Sequence, residues 1–273
     1  MAKRVVLLTG SELRHDFFRI AMARDPEIRV VRSYCESQKG NLQEQVREAS
    51  TSNSLRTTYL ESRSQTERDF FELYCRSTPD LSNPCQIVKG DINRDDIVEE
   101  IIELAPDIIV AYGCSIIRSR LLAHFRGCFI NIHLGISPYY RGSGTNFWPF
   151  VNNELSCVGT TFMHIDEGID TGKIIHQIRA RMDVFDNIHQ VGNRLICDSV
   201  MECRKLIRNF ENLSALEGDS NIDFTKRYYR KKDFTEEALQ LALANIVNNN
   251  IGAYLSSKAD ADRRYPILQQ SNI

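Results

Sequence analysis

The chain has 273 residues, 42% hydrophobic and 26% charged, with a formal net charge of −2. That is enough for one large α/β domain with an appendage, and it offers no global field for a polyanion, so DNA is not expected as a partner. No apolar run approaches the ~20 residues that span a bilayer, and Ala2-Lys3-Arg4 leads straight into Val5-Val6-Leu7-Leu8, too short for a signal-peptide core.

The eight cysteines are scattered without a CxxC pair, which reads as free thiols in a reducing cytoplasm. Cysteines and histidines never fall at ligand spacing, so no metal site is expected.

Along the chain, residues 4–9 form a continuous apolar run closed by Gly10, as in a strand buried on both faces. A helix is expected over 13–23 and a second strand over 28–31, which opens a βαβ unit. Residues 36–85 are polar and read as a helical insertion between strands. Within it, 60–75 has the spacing of an amphipathic helix, and 49–54 has the composition of a loop. Asn93 is expected to cap a helix with Ile97, Ile101 and Leu104 on its apolar stripe, ended by Pro106. A buried strand is expected over 107–113, a helix over 115–125 and a strand over 128–133. Paired strands follow at 158–164 and 173–177, then a long helix over 187–211. Beyond 212 the composition turns polar, with a basic run at 226–232 that reads as a solvated face, a helix at 235–249 and a tail. The whole predicts a doubly wound, mostly parallel α/β sheet over 1–212, with a small, mostly helical C-terminal appendage over 213–273.

A doubly wound sheet invites a dinucleotide, but no Gly-x-Gly-x-x-Gly follows the first strand, and the P-loop pattern is absent. The informative stretches are 131–142 and 159–172. Asn131 and His133 lie two apart at a strand end, so both side chains point to one face. Asp170 sits in an Asp/Gly-rich loop directly after another strand. An amide, an imidazole and a carboxylate at strand ends of one sheet suit acyl transfer to an amine. The amide and imidazole hold a developing oxyanion, and the carboxylate orients the imidazole and takes a proton. The alternatives are plainer. A lone histidine in a strand is usually structural, as expected for His124, His176 and His189, and Asp170 could simply stabilise the turn before Gly172.

Asn131-Ile132-His133, Pro138, Arg141-Gly142, His164 and Asp170-Thr171-Gly172 together resemble the 10-formyltetrahydrofolate-dependent formyltransferase family. That family includes glycinamide ribonucleotide transformylase, methionyl-tRNA formyltransferase and the sugar N-formyltransferases. The resemblance is strong over roughly 86–180 and weak for the first strands. It departs at Leu134-Gly135-Ile136-Ser137-Pro138, where the family usually has Pro-Ser-Leu-Leu-Pro. It departs again at Gly10-Ser11-Glu12, where the purine enzymes have Gly-Ser-Asn.

The resemblance implies a reduced-folate donor, 10-formyltetrahydrofolate, with Asn131, His133 and Asp170 catalytic. It implies a pterin slot between Cys114, Ser115, Ile116 and Ile117 on one side and Ile165, Asp166 and Gly168 on the other. His164 would support that loop, and Cys114 has no catalytic part to play. A small amine acceptor, such as a nucleotide-linked amino sugar, would meet Gly10, Ser11, Arg14, His15 and Arg141, the last three supplying a basic handle for an anion. tRNA is disfavoured, because the net charge is −2 and the C-terminal segment is short beside that of the methionyl-tRNA enzymes. A homodimer is compatible with all of this. The competing readings are a 10-formyltetrahydrofolate hydrolase and a catalytically dead folate- or nucleotide-binding module.

Overall fold

The structure is a computed structural model that describes residues 2–37, 42–49, 54–166, 168, 170–217, 227–271 and 273. Strand β1 (Lys3–Gly10) is followed by helix α1 (Leu13–Ala23) and strand β2 (Ile28–Ser37), which pairs parallel with β1. Helices α2 (Leu42–Ala49) and α3 (Leu55–Ser77) then precede β3 (Pro84–Val88), parallel to β2 at the sheet edge. Helix α4 (Asp95–Leu104) leads to β4 (Ile108–Tyr112), and α5 (Ser119–His124) leads to β5 (Phe129–His133). A short strand β6 (Tyr140–Gly142) and helix α6 (Trp148–Val151) intervene before β7 (Gly159–Met163) and β8 (Ile174–Arg179). Among the described residues the main sheet runs β3-β2-β1-β4-β5-β7-β8, with the first five strands parallel and β7 antiparallel to both neighbours.

The period of two in β1 divides its side chains between two cores. Val5 and Leu7 pack with Phe18 and Met22 of α1, and with Val200 and Leu206 of α7 (Ile188–Arg208). Val6 and Leu8 pack on the opposite face with Ile97 and Ile101 of α4 and Leu121 of α5. Each such buried aliphatic side chain contributes about 1.5–3 kcal/mol by leaving water. The doubly wound expectation is met because an apolar run of this kind needs cover on both faces.

The helical reading of 36–85 holds at α2 and α3, and α3 begins earlier than residue 60 because Ser54 caps it, accepting from Thr57 N. Residues 38–41 and 50–53 of that stretch lie outside the described residues. Asn93 does not cap α4, whose N-cap is Arg94. Its side chain instead donates to Ile116 O at 2.9 Å and accepts from Arg118 N at 2.8 Å. Residues 115–118 are accordingly not helical: Glu36 takes the amide of Ser115 and Asn93 that of Arg118, so this segment is a braced loop.

The C-terminal segment contributes β9 (Arg227–Tyr229), which pairs parallel with β6. It adds α8 (Glu236–Val247), α9 (Asn250–Ser256) and α10 (Lys258–Arg264), so two helices stand where a tail was expected. Leu239, Ala242, Ile251 and Tyr254 join a third core with Tyr140, Trp148 and Val191. Of the basic run, Lys226 lies outside the described residues. The rest is a solvated face only in part. Arg227 pairs with Glu154 at 2.6 Å, and the Tyr229 ring stacks on Trp148 with centroids 4.0 Å apart, which leaves Tyr228, Arg230 and Lys231 outward.

Candidate active site

Ala111, Asn131 and Met163 are cross-strand neighbours on β4, β5 and β7, which sets Asn131 near the carboxyl end of the parallel strands. Ligands of open α/β sheets bind at such strand ends. His133 follows two residues later and is buried. Its Nδ1 lies 3.2 Å from Asp170 Oδ1, and its Nε2 lies 3.3 Å from the Tyr140 carbonyl oxygen. Burial pushes the Asp170 carboxyl up, but the hydrogen bond and charge of His133, the Gly142 N–H and the Arg141 charge outweigh it. The carboxyl therefore lies below its ordinary range and stays ionised at neutral pH. The Gly142 N–H donates to Asp170 Oδ2 at 3.3 Å.

The loop after His133 is anchored to the antiparallel strands. Thr161 Oγ1 donates to Gly135 O at 2.6 Å and accepts from Ser137 N at 2.9 Å, while Gln177 Nε2 donates to Ser137 O at 2.6 Å. Gly135 is required by close approach, since a Cβ there would lie 2.8 Å from His133 Nε2. Gly142 has φ +92°, and a Cβ on it would meet the Tyr229 carbonyl oxygen at 2.2 Å. The departure from the usual Pro-Ser-Leu-Leu-Pro thus places a glycine where the imidazole passes.

Two cavities meet at these residues. The smaller, about 200 Å³, is walled by Cys114–Ile117 on one side and by Ile165, Asp166 and Gly168 on the other. All seven residues expected at the pterin slot line it, whereas Glu167 and Ile169 of that loop lie outside the described residues. The larger, about 900 Å³, is lined by His133, Arg14, His15, Tyr112 and Asn193 among others. Asn131 and Asp170 line both.

Sequence reasoning missed Glu36, which holds the smaller cavity's shape. This buried carboxylate closes β2 and accepts from Ser115 N at 2.6 Å and Gly90 N at 2.9 Å. The available signal was an acid directly after the apolar pair Tyr34-Cys35. The Cys114 thiol is pushed up to about 12, chiefly by burial and then by the Glu36 charge, so it stays protonated and is no nucleophile.

The expected basic handle is altered. Arg14 does line the larger cavity, but its guanidinium is bound to Glu67 at 2.9 Å. His15 is buried, accepts from Glu12 N through Nδ1 at 3.1 Å, and is held well below its ordinary range by burial and by the charges of Arg14 and Arg63. It is a neutral structural ring and cannot attract an anion. Gly10 and Ser11 line neither cavity; Gly10 lies under the His15 ring, where a Cβ would come within 2.6 Å of it. Arg141 also lines neither, and its charge acts on Asp170. His176 accepts from Gln270 N at 2.9 Å, as a structural histidine does.

Among the described residues, no group of three or more His, Cys, Asp or Glu side chains is arranged to hold a metal ion. No helix of the described residues is long and apolar enough to cross a membrane.

Comparison with known proteins places this geometry. Among sequence relatives, the methionyl-tRNA formyltransferase of Thermodesulfovibrio yellowstonii is 34% identical over 130 residues, 44% of this chain and 41% of the relative. That of Clostridium beijerinckii is 36% identical over 154 residues, 55% and 46% of the two chains. The matched segment thus spans less than half the length of these curated relatives. These relatives correct the expectation that tRNA is disfavoured. Net charge sums the whole surface and does not report a local patch, and Lys89, Arg230 and Lys231 line the larger cavity. Among solved structures, a sugar N-formyltransferase from Shewanella matches with TM-score 0.55 at 16% identity, covering 89% of this chain and 87% of that one. The phosphoribosylglycinamide formyltransferase of Anaplasma phagocytophilum matches with TM-score 0.54 at 13% identity, covering 85% and 100%. At these identities the likeness is one of fold. The family model described as formyl transferase matches residues 3–199, most of the chain, and the chain belongs to the formyl transferase family.

Proposed function

We propose that this protein transfers a formyl group from 10-formyltetrahydrofolate to an amine, with Asn131, His133 and Asp170 as the catalytic set. The observation that carries this reading is the junction, at Asn131 and Asp170, of a cavity of about 200 Å³ with one of about 900 Å³ that His133 also lines. We read the smaller cavity as the pterin slot. Its wall is fixed where the two sides of one loop touch at Gly172, since a Cβ there would lie 1.7 Å from the His164 carbonyl oxygen. His164 Nδ1, at its edge, is buried without a hydrogen-bond partner among the described residues. The slot's lining mixes Ile116, Ile117, Met163 and Ile165, which can pack on a flat ring, with Asn131, Asp166 and Asp170, which can hydrogen-bond to its edge.

The acceptor amine attacks the formyl carbon of the folate; as the tetrahedral adduct collapses, the bond from that carbon to N10 breaks and tetrahydrofolate leaves, its N10 taking the proton that the amine gives up through Asp170. Asn131 donates a hydrogen bond to the formyl oxygen as it gains negative charge, and His133 joins it when Nε2 turns from the Tyr140 carbonyl oxygen. Asp170 holds the imidazole through Nδ1 and, being ionised, takes up the proton that the attacking amine must lose.

For the acceptor we favour a small amine carried on a nucleotide-linked sugar, because the larger cavity is walled on several sides and has cationic and aromatic residues at its edge. The second reading, methionyl-tRNA, is favoured by the sequence relatives. Incubating protein and donor with a nucleoside-diphosphate-linked 4-amino-4,6-dideoxyhexose, glycinamide ribonucleotide and methionyl-tRNA, and following a formyl mass gain, separates these. Release of formate with no formylated amine would replace transferase by hydrolase.

A further inference from the structure

Two buried hydrogen-bond donors on the wall of the larger cavity have no acceptor among the described residues: the Tyr112 O–H and the Asn193 Nδ2. Tyr112 is 4% exposed and Asn193 5%. Buried donors are nearly always satisfied in folded proteins, and leaving one unmade costs stability. Neither group is free to swing out to water. The Tyr112 ring, at the end of β4, is packed edge-on to His15 at 4.9 Å and against Phe18 at 5.2 Å. Asn193 sits in α7 between the core residues Val191 and Leu195.

The surrounding charges narrow the chemistry that would complete them. Arg14 acts on the Tyr112 phenol through its charge and as a donor to the phenol oxygen, which leaves the phenolic hydrogen without an acceptor, and Arg14 and Arg63 converge on Glu67 at 2.9 and 3.3 Å. The nearby cations are thus already matched to a carboxylate. The phenol is pushed up to about 12 by burial, so it remains a neutral donor across the working pH range. What stays unmatched on this wall is a pair of neutral hydrogen-bond donors.

We infer that Tyr112 and Asn193 form a binding subsite for neutral oxygen groups of the acceptor, the hydroxyls of a sugar ring. The inference rests on the formyl-transfer reading and names the part of the acceptor that this wall recognises. A hexose and a ribose share this chemistry, and different acceptors would bring one or the other.

The test compares the wild-type chain with Tyr112→Phe and Asn193→Ala, using 10-formyltetrahydrofolate with the amino-hexose nucleotide, glycinamide ribonucleotide and methionyl-tRNA. For whichever acceptor the wild type formylates, each substitution is expected to raise the acceptor KM about tenfold, the worth of one buried hydrogen bond. Binding of 5-formyltetrahydrofolate should be unchanged. Ligand-free Tyr112→Phe gives up only the Arg14 contact to the hydroxyl oxygen and should stay folded with unchanged circular dichroism, so this variant keeps the test valid if Asn193→Ala folds poorly. An unchanged acceptor KM in folded Tyr112→Phe overturns the subsite. The acceptor whose KM the substitutions raise is the one whose sugar hydroxyls meet this wall. If no acceptor is formylated, the functional reading fails on its own. The subsite is then judged by calorimetric binding of the same three molecules: weaker binding to the variants supports it, and binding that is absent or unaltered ends it.

Discussion

Nδ1 of His133 lies 3.2 Å from Asp170 Oδ1, and Nε2 of the same ring faces the Tyr140 carbonyl oxygen at 3.3 Å, so the imidazole is oriented from both ends. Asp170 reaches this position from a left-handed backbone conformation, φ +52°, which aspartate tolerates better than most residues. Asp170→Asn keeps the side-chain shape and removes the negative charge that faces the His133 ring. Turnover is expected to fall about a hundredfold or more, the usual worth of an acid–base group. Steady-state rates measured beside circular dichroism check this; a folded variant with near-normal turnover would remove Asp170 from the mechanism.

Glu36 tests whether the folate wall is held from behind. It accepts from Ser115 N and Gly90 N through different oxygens. Glu36→Gln leaves one acceptor oxygen and turns an amide group toward the other N–H. Affinity for 5-formyltetrahydrofolate is expected to drop about tenfold, the worth of one charge-assisted hydrogen bond to a buried group. The formyl-acceptor KM should move far less. Calorimetry gives the first quantity and initial rates the second, and equal losses in both would point to general unfolding.

Gly135→Ala probes the imidazole from the opposite side. Its Cβ would come within 2.8 Å of His133 Nε2 and 2.7 Å of the Thr145 side chain, closer than real contacts allow. The ring must shift, and a displacement of an ångström in a catalytic group costs about a hundredfold in rate. The expected result is a folded, folate-binding protein with low kcat; retention of full activity would show that the loop yields freely.

Asn131 and His133 were legible in the sequence because a strand's period of two puts them on one face, and Asp170 because its loop carries the matching motif. The parallel core was legible from runs such as Val5–Leu8, which can only be buried on both sides. What escaped depended on contacts between residues distant in the chain. Glu36 reads as a strand-end acid until the Ser115 amide is seen against it. Asn93 has the look of a helix cap, yet its side chain is spent on Ile116 and Arg118. The pairing of β9 with β6 leaves no local signature, because Arg227 meets Tyr140 across most of the C-terminal half. His15 looked like a cation, and only its burial beneath Gly113 shows that it is not one.

His189 gives a prediction about stability alone. Its ring is buried beside Tyr59, 4.5 Å between centroids, and burial followed by the Arg63 charge pushes it down to about 3. In the unfolded chain a histidine titrates near 6.5. Between these values the unfolded state binds a proton that the folded state refuses, so stability rises with pH up to about 6.5 and is lost as pH falls below it. Each unit below about 6.5 costs about 1.4 kcal/mol from this one residue. His15, His164 and His176 are lowered too and add to the same slope. His189→Phe keeps a ring against Tyr59 and cannot protonate. Between pH 7 and pH 5.5 the wild type should therefore lose about 3 °C more in Tm than the variant, using the usual conversion for a chain of this size. Thermal melts of both proteins at the two pH values decide it. Parallel losses would mean that His189 takes up its proton without disturbing the fold.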